Sequence, residues 1–140
     1  MTLDHNKSLS RRSLEMWRNS AADEAAAVFA ASYANHQEPS VEGGTNSLDL
    51  DGWKRLVDQV GRAFPDLEVQ IEMQIADGDL VATRWRFTGA QSGEYLGHAP
   101  SGRRATWTGI QIDRFENGKI VESWVDWDKY RFFDELGFLG

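Results

Sequence analysis

The sequence contains no cysteine, which excludes disulfide bonds, thiolate nucleophiles and zinc sites built on sulfur. It also lacks long apolar runs. Residues 1–12 are polar and show no signal-peptide pattern, and no stretch approaches the roughly 20 apolar residues of a membrane span. We therefore expect a soluble protein of the reducing cytoplasm.

Positive charge is also scarce. The chain has 15 Lys and Arg residues against 22 Asp and Glu residues, so its net charge is −7 at pH 7. Such a surface repels phosphate backbones and anionic lipid, which makes nucleic acid and membranes poor partners. The three histidines are scattered, and neither a Gly-rich phosphate loop nor a serine nucleophile elbow is present. We therefore predict neither a metal nor another cofactor.

The composition that remains is typical of a globular protein. Apolar residues make up 41% of the 140 residues and charged residues 26%. This length suits a single domain over residues 1–140 with one hydrophobic core. We expect residues 1–8 to form a flexible tail.

The first part of the chain has helical patterns. Apolar residues follow a loose helical period over 8–19. A capping box at Ser20 predicts a second, alanine-rich helix that runs to about Ala31. The polar and Gly-containing segment 35–49 then predicts a loop.

The clearest helix covers residues 53–64. Its apolar residues recur at helical spacing and form one stripe. Asp49 or Asp51 can cap the start of this helix, and Pro65 ends it.

In the second half the apolar period changes to two, which is typical of half-buried strands. In the segment 67–75, Leu67, Val69, Ile71, Met73 and Ile75 alternate with Glu and Gln and are expected on one face. Asp77-Gly78 and Asn117-Gly118 predict turns. The predicted strands cover 67–75, 80–88, 103–115 and 119–127, and an aromatic tail ends at Gly137.

Helices followed by a run of antiparallel strands predict an α+β domain. We expect the N-terminal helices to pack in the concave face of a curved antiparallel sheet, as an α+β cone barrel. Such a cone leaves a hollow, and concave, mostly apolar cavities are where small ligands bind. We therefore expect a small hydrophobic molecule as the ligand.

Six tryptophans are many for this length. An indole combines a large apolar area with one N–H donor, so it suits both cores and the walls of binding sites. We expect Trp53, Trp85, Trp107 and Trp127 to contact the ligand. Plain core packing is the competing interpretation for each of them.

Several segments resemble the SnoaL-like polyketide cyclase family, which has the nuclear-transport-factor-like cone fold. The resemblance covers nearly the whole chain, in order. The matching segments are 33–36, 63–67, 78–85, 93–97, 102–110 and 117–124, continuing to Leu136-Gly137.

The resemblance implies a general base, an aldol-type ring closure and a homodimer. Cyclases of this family use a His on the penultimate strand and an Asp on the last strand. In this chain the His position falls on Gln111 and the Asp position on Val125, so neither matches.

Asp126 is the expected general base, because a carboxylate held in an apolar wall acquires a pKa nearer to neutral pH. Its direction depends on the hairpin register, since a slip of one residue reverses every side chain. A two-residue turn at Asn117-Gly118 puts Gln111, Asp113 and Asp126 on one face. A three-residue loop with a bulge at Gly118 instead puts Gln111 beside Ser123 and Val125, and Asp126 then faces away.

Other polar residues are weaker candidates. Gln111 and His36 are expected to orient the ligand's oxygens, with His36 and Tyr33 near the mouth of the pocket. Asp128 either contacts the ligand or caps a terminal helix. Asp113 is interpreted as an exposed strand residue. The glycine-containing loop 89–102 forms either a lid or an ordinary connection.

Three functions fit these patterns. The first is a cofactor-independent cyclase or isomerase that acts on a hydrophobic, polyketide-like carbonyl compound. The second is an epoxide or ester hydrolase that activates water with an acidic pair. The third is a non-catalytic ligand-binding domain, which the missing family His and Asp favour.

Overall fold

A computed structural model describes residues 2–18, 21–38 and 46–139. The helices are α1 (Leu3–Glu15), α2 (Leu50–Ala63) and α3 (Lys129–Leu136), with a 3₁₀ turn at Ala22–Ala27. The strands are β1 (Phe29–Glu38), β2 (Asn46–Asp49), β3 (Glu68–Asp77), β4 (Leu80–Ala90), β5 (Arg104–Glu116) and β6 (Lys119–Trp127). None of the described helices has the length and apolarity that crossing a bilayer requires.

The six strands found in the described residues form one curved, unclosed sheet in the order β2-β1-β6-β5-β4-β3. Strands β3 to β6 are antiparallel neighbours, as predicted, and only the β1–β6 pair is parallel among the strands described. The helices pack against this sheet: α1 contacts β3, β4 and β6, α2 contacts β1 and β2, and α3 contacts β5. The predicted α+β cone architecture is confirmed.

The helix over 53–64 is also confirmed, and it begins slightly earlier. Asp49 caps it by accepting from the Gly52 N–H at 2.8 Å, and the helix ends at Ala63, two residues before Pro65. At the C-terminus, Asp128 caps α3 and Gly137 ends it in the left-handed conformation, at φ +77°.

Two predictions for the N-terminal part are wrong. Residues 3–8 belong to α1, because Thr2 caps this helix and Asn6 is buried on its inner side. The alanine-rich segment forms only the 3₁₀ turn, and the chain then enters β1 at Phe29, where aromatic and inward-facing residues favour a strand. The predicted cap Ser20 and residues 39–45 of the predicted loop lie outside the described residues.

β-Bulges set which residues face inward. In β3 the register shifts between Ile71 and Met73, so Ile71 pairs with Trp85 while Met73 turns outward. Met73 and Ile75 are 56% and 62% exposed. The prediction that all five apolar residues of this strand share a face is therefore wrong after Ile71.

The β5–β6 hairpin contains a second bulge. Phe115 pairs with Ile120 and Glu116 with Lys119, as a two-residue Asn117-Gly118 turn requires. Beyond this point Arg114 pairs with Glu122, so Val121 is the extra residue. From Glu122 to the end of β6, the side chains therefore point in the directions expected for the hairpin with a bulge, in which Gln111 lies beside Val125.

Candidate functional site

A cavity opens between the helices and the concave face of the sheet. It encloses about 490 Å³ of empty space when the open region at its mouth is included. Its apolar wall comes from both layers: Leu14, Trp17, Leu56, Val60, Trp85, Phe87, Tyr95, Trp107, Val125, Trp127 and Phe132. The polar side chains in the wall are Gln37 and Gln111.

Three of the four predicted tryptophans lie in this wall. Trp85 and Trp107 are buried on neighbouring strands, and Trp127 is half-buried at the end of β6. Trp85 lies across the backbone of Gly109, where a Cβ atom would come within 2.3 Å of the indole. Gly109 therefore permits the flat wall that Trp85 forms on this side. Trp53 instead packs against Phe29 at 4.6 Å in a second core cluster, outside the cavity lining.

Asp126 does not face the cavity, which corrects the expected placement of the general base. Gln111 pairs with Val125, and both line the cavity, whereas Asp126 pairs with Ile110 on the outer face and is exposed. The bulge at Val121 is the reason, because it shifts the register by one residue and reverses the facing of β6.

His36 also lies on the outer face, not at the pocket mouth. It pairs with Trp124 across the sheet, stacks on its ring at 5.8 Å and forms a 2.7 Å contact with Glu122. This contact holds the pKa of the Glu122 carboxyl below its usual range, with Arg114 assisting. Tyr33, one of the predicted ligand contacts, points inward but lies in the second core cluster behind the cavity.

Asp128 has the structural role that was the alternative interpretation. Its carboxylate accepts from the Arg131 N–H at 3.0 Å and so caps α3. The residue is exposed and is not part of the cavity wall. The predicted ligand contact therefore has no support in the geometry.

The buried acid beside the site is Asp113, so the prediction that it is an exposed strand residue is wrong. It is fully buried, at 0% exposure, and receives hydrogen bonds from Ser10 Oγ at 2.7 Å, Gln111 Nε2 at 2.8 Å and Ser123 Oγ. Burial raises the pKa of the Asp113 carboxyl to about 6, against the lowering effect of these donors. Asp113 does not line the cavity, whereas Gln111, which donates to it, does.

A chain of polar side chains connects the second wall amide to the same carboxylate. Gln37 Nε2 donates to Asn35 Oδ1 at 2.6 Å, and Asn35 Nδ2 donates to the Tyr33 hydroxyl at 2.8 Å. Tyr33 is hydrogen-bonded to Ser123, which donates to Asp113. Burial and the nearby Asp113 charge raise the pKa of Tyr33 well above its usual range. The Tyr33 phenol therefore stays neutral within this series of hydrogen bonds.

The loop between β4 and β5 is held in place at its base. Gln91 is fully buried, and its amide donates to the Gly93, His98 and Ala99 carbonyls while its oxygen accepts from Ser101. From this loop Tyr95 enters the core and contributes to the cavity wall. The loop thus forms part of the wall rather than an unattached flap.

Sequence patterns missed the polar network because its members are far apart in sequence. Ser10, Asn35, Gln37, Asp113 and Ser123 come from three strands and one helix, and none carries a local motif. Asp113 lies two residues after Gln111 on β5 and therefore points to the same face, which was a signal for its inward direction. Only the structure shows that α1 covers this position. Within the described ranges, no group of three or more His, Asp or Glu residues is arranged to hold a metal ion.

Solved structures show what this geometry is similar to. AclR from Streptomyces galilaeus, described as a putative hydroxylase, superposes with a TM-score of 0.85 at 24% identity, over 99% of this chain and 89% of that one. IdmH from Streptomyces antibioticus, described as a putative polyketide cyclase, gives 0.81 at 25% identity over 94% and 98%. TsrD from Streptomyces laurentii gives 0.83 at 22% identity over 98% of both chains.

These likenesses establish the fold. No curated protein sequence matches the chain. The family model of the SnoaL-like polyketide cyclases matches residues 7–136, which is nearly the whole chain and includes every residue of the cavity wall. The chain belongs to the SnoaL-like polyketide cyclase family.

Proposed function

We propose that this protein is a cofactor-independent catalyst of cyclase or isomerase type that acts on a small, hydrophobic, polyketide-like carbonyl compound. One observation carries the proposal. The cavity of a SnoaL-like fold is here lined mostly by aliphatic and aromatic side chains, and its two amides, Gln37 and Gln111, belong to one buried polar network.

The apolar wall selects the body of the substrate. Planar rings can lie against Trp85, Trp107 and Trp127, and their burial supplies binding energy of roughly 25 cal/mol per Å² of apolar surface. Holding a flexible chain in a folded shape also brings its reacting carbons together, which is a large part of the barrier in a ring closure.

The amides act on the polar end of the substrate. A Gln side chain can donate to an oxygen that gains negative charge when a neighbouring carbon loses a proton. Gln111 is the better placed of the two, because one N–H of its Nε2 donates to Asp113 at 2.8 Å and fixes the amide, which leaves the other N–H for the substrate oxygen. Among the described wall residues there is no carboxylate or imidazole, so the proton passes to water or to an oxygen of the substrate.

Deuterium exchange tests this proposal. β-Tetralone has α-hydrogens beside a carbonyl and an aromatic ring of the kind that an indole wall binds, and its exchange in deuterated buffer is followed by proton NMR. The protein should accelerate exchange, and Gln111→Leu should reduce the acceleration by about 100-fold, as for the loss of one oxyanion donor. The outer-face variant Asp126→Asn is the control and should exchange at the wild-type rate. Exchange at the buffer rate while β-tetralone is bound would rule out the catalytic proposal.

A non-catalytic binding domain is the second candidate. The observation that favours it is the lack of an acid or base among the described wall residues. It predicts quenching of the wall tryptophans by β-tetralone without any exchange. The hydrolase alternative needs an acidic pair at the ligand, and the described wall contains none.

We also propose a homodimer that forms through the outer face of the sheet. This face carries the cross-strand row Ile75, Ala82, Ile112, Trp124 and His36, and Met73 and Ile110 lie in the next row. Ile75, Ile112 and Trp124 are 62%, 38% and 38% exposed, and exposed apolar patches favour association. Sedimentation should show a dimer at micromolar concentrations that Ile112→Lys dissociates. A wild-type monomer would contradict this.

A further inference from the structure

The Asp113 carboxylate is surrounded by donors. Ser10 from α1, Ser123 from β6 and Gln111 from its own strand all hydrogen-bond to its two oxygens. An ionised carboxylate can only accept hydrogen bonds, so each of these groups must present a hydrogen to it. The direction of every hydrogen bond at this site is therefore fixed by one charge.

For Gln111 this direction has a consequence inside the cavity. Its –NH₂ group must face Asp113, and because the amide is planar, its carbonyl oxygen points away from the carboxylate. Gln111 itself belongs to the cavity wall. The groups of this amide that remain for a ligand are thus the acceptor Oε1 and one N–H.

The second amide has the same orientation. Gln37 also lies in the wall, and its Nε2 is turned to Asn35 at the start of the chain that passes through Tyr33 and Ser123 to Asp113. Each donor in this chain faces the carboxylate side. Two carbonyl oxygens that do not take part in this network therefore belong to side chains of the cavity wall.

We propose that Asp113 is a positioning residue that makes the cavity wall a hydrogen-bond acceptor, so that the site selects the enol or hydroxyl form of its substrate over an oxygen that carries no hydrogen. This inference rests on the proposed function and names the form of the carbonyl compound that the site holds. An enol O–H can donate to Gln111 Oε1, and the remaining N–H of the same amide is available to a neighbouring carbonyl oxygen. A 1,3-dicarbonyl compound in its enol form offers this pair.

Protonation of Asp113 offers an independent way to test the orientation. A neutral carboxyl has one O–H donor, which lets Gln111 turn its oxygen towards Asp113 and its –NH₂ group towards the cavity. The pKa of Asp113, raised to about 6 by burial, puts this change within an accessible pH range. Among the described residues, those that hydrogen-bond to Asp113, pair with it across the sheet or are influenced by its charge are Ser10, Gln111, Tyr33, Val81 and Ser123. Of these only Tyr33 titrates, and its pKa is raised well above its usual range.

A matched pair of probes tests whether the cavity wall accepts a hydrogen bond from a ligand. β-Naphthol has a planar ring and an enol-like O–H, while its methyl ether has the same ring without the hydrogen. Calorimetric titration at about pH 7.5 should show that the wild type binds β-naphthol at least about tenfold more tightly than the ether. The Gln111→Leu variant supplies the baseline for this amide, because it removes Oε1 of Gln111 and leaves Gln37 and the difference in probe size unchanged.

The role of Asp113 is tested by Asp113→Asn and by pH. In this variant the amide of Gln111 is free to rotate by half a turn. The preference for β-naphthol should therefore fall to the Gln111→Leu baseline, while the ether still binds. The wild type at about pH 5 should lose most of the preference as well. If Asp113→Asn does not fold, the wild-type pH series decides. Glu116→Gln removes an exposed charge from the same strand and should keep the full preference.

The outcomes separate the two proposals. Binding of both probes without a preference at about pH 7.5 would overturn this inference and leave the proposed function intact. A preference that persists in folded Asp113→Asn would exclude the positioning role of Asp113. Failure of both probes to bind would remove the ligand site, and with it both proposals.

Discussion

Strands β5 and β6 have an inner and an outer face that alternate residue by residue and differ completely in environment. On the inner face Gln111, Asp113 and Val125 are each at most 6% exposed and contribute to the cavity or to the network behind it. On the outer face Ile110 and Asp126 are neighbours across the same strands and are exposed. The chemistry at the cavity therefore depends on the register of the β5–β6 pair, because the register decides which of the acids on these strands face inward.

The largest difference should come from apolar residues on the two faces. Trp107 is 4% exposed and packs on Phe132 at 4.3 Å, whereas Ile110 is 46% exposed. Trp107→Ala should reduce the free energy of unfolding by about 3–5 kcal/mol, and Ile110→Ala by less than about 1 kcal/mol. Urea unfolding, at a concentration that keeps the chain in one oligomeric state, measures both. Equal losses would contradict the assignment of the faces.

The next difference concerns the acids. The pKa of Asp113 is raised from 3.8 to about 6 on folding, so between these pH values the folded state binds more protons than the unfolded state. The contribution of Asp113 is therefore most favourable at low pH and is lost as pH rises from about 4 to 6, by up to roughly 3 kcal/mol.

Denaturant unfolding of the wild type and Asp113→Asn at these two pH values tests this. The other carboxyls are common to both proteins and cancel in the difference. From the lower to the higher pH, the wild type should lose stability relative to the variant. Glu116→Gln should show no such relative change, and a flat difference for Asp113→Asn would refute the burial of this charge.

A smaller effect is expected at Gly109. A Cβ atom there would meet the Trp85 ring at 2.3 Å and the Asp126 carbonyl oxygen at 2.9 Å, so the indole must move. Gly109→Ala should cost about 1–3 kcal/mol and should weaken β-tetralone binding, because Trp85 forms part of the cavity wall. Thr108→Ala, a change at the adjacent outer-facing residue, serves as the control. Unchanged affinity in Gly109→Ala would show that Trp85 does not border the ligand.

The smallest effect should be that of Asp126→Asn. The residue is exposed on the outer face, and surface substitutions of this kind change stability by no more than about 0.5 kcal/mol. Its affinity for β-tetralone and its exchange rate should equal those of the wild type. A large decrease in the exchange rate would show that Asp126 takes part in the reaction and would contradict the observed register.

Periodicity in the sequence predicts the elements of this fold but not its irregularities. The apolar stripe of α2 and the alternation in β3 to β6 identify these elements because each pattern depends on local spacing. The bulges after Ile71 and at Val121 have no such signature. Each inserts one residue and reverses all side chains beyond it, which explains the errors at Met73, Ile75 and Asp126.

The candidate site divides in the same way. Trp85, Trp107 and Trp127 were accessible to prediction because strand position and residue type together place them in an inner wall. Asp113 was not, because its burial depends on Ser10 of α1, which is 103 residues away in sequence. Tertiary contact of this range cannot be inferred from a single sequence.

The central claim is that a ligand binds on the inner face, with its polar end at Gln111. Proton–nitrogen NMR of the side-chain amides during titration with β-tetralone tests it most directly. Binding at this place should give large, saturable shifts of the Gln111 and Gln37 –NH₂ signals, while the backbone amides of Ile110 and Asp126 change little. Shifts confined to the outer-face residues, with silent glutamine side chains, would contradict it.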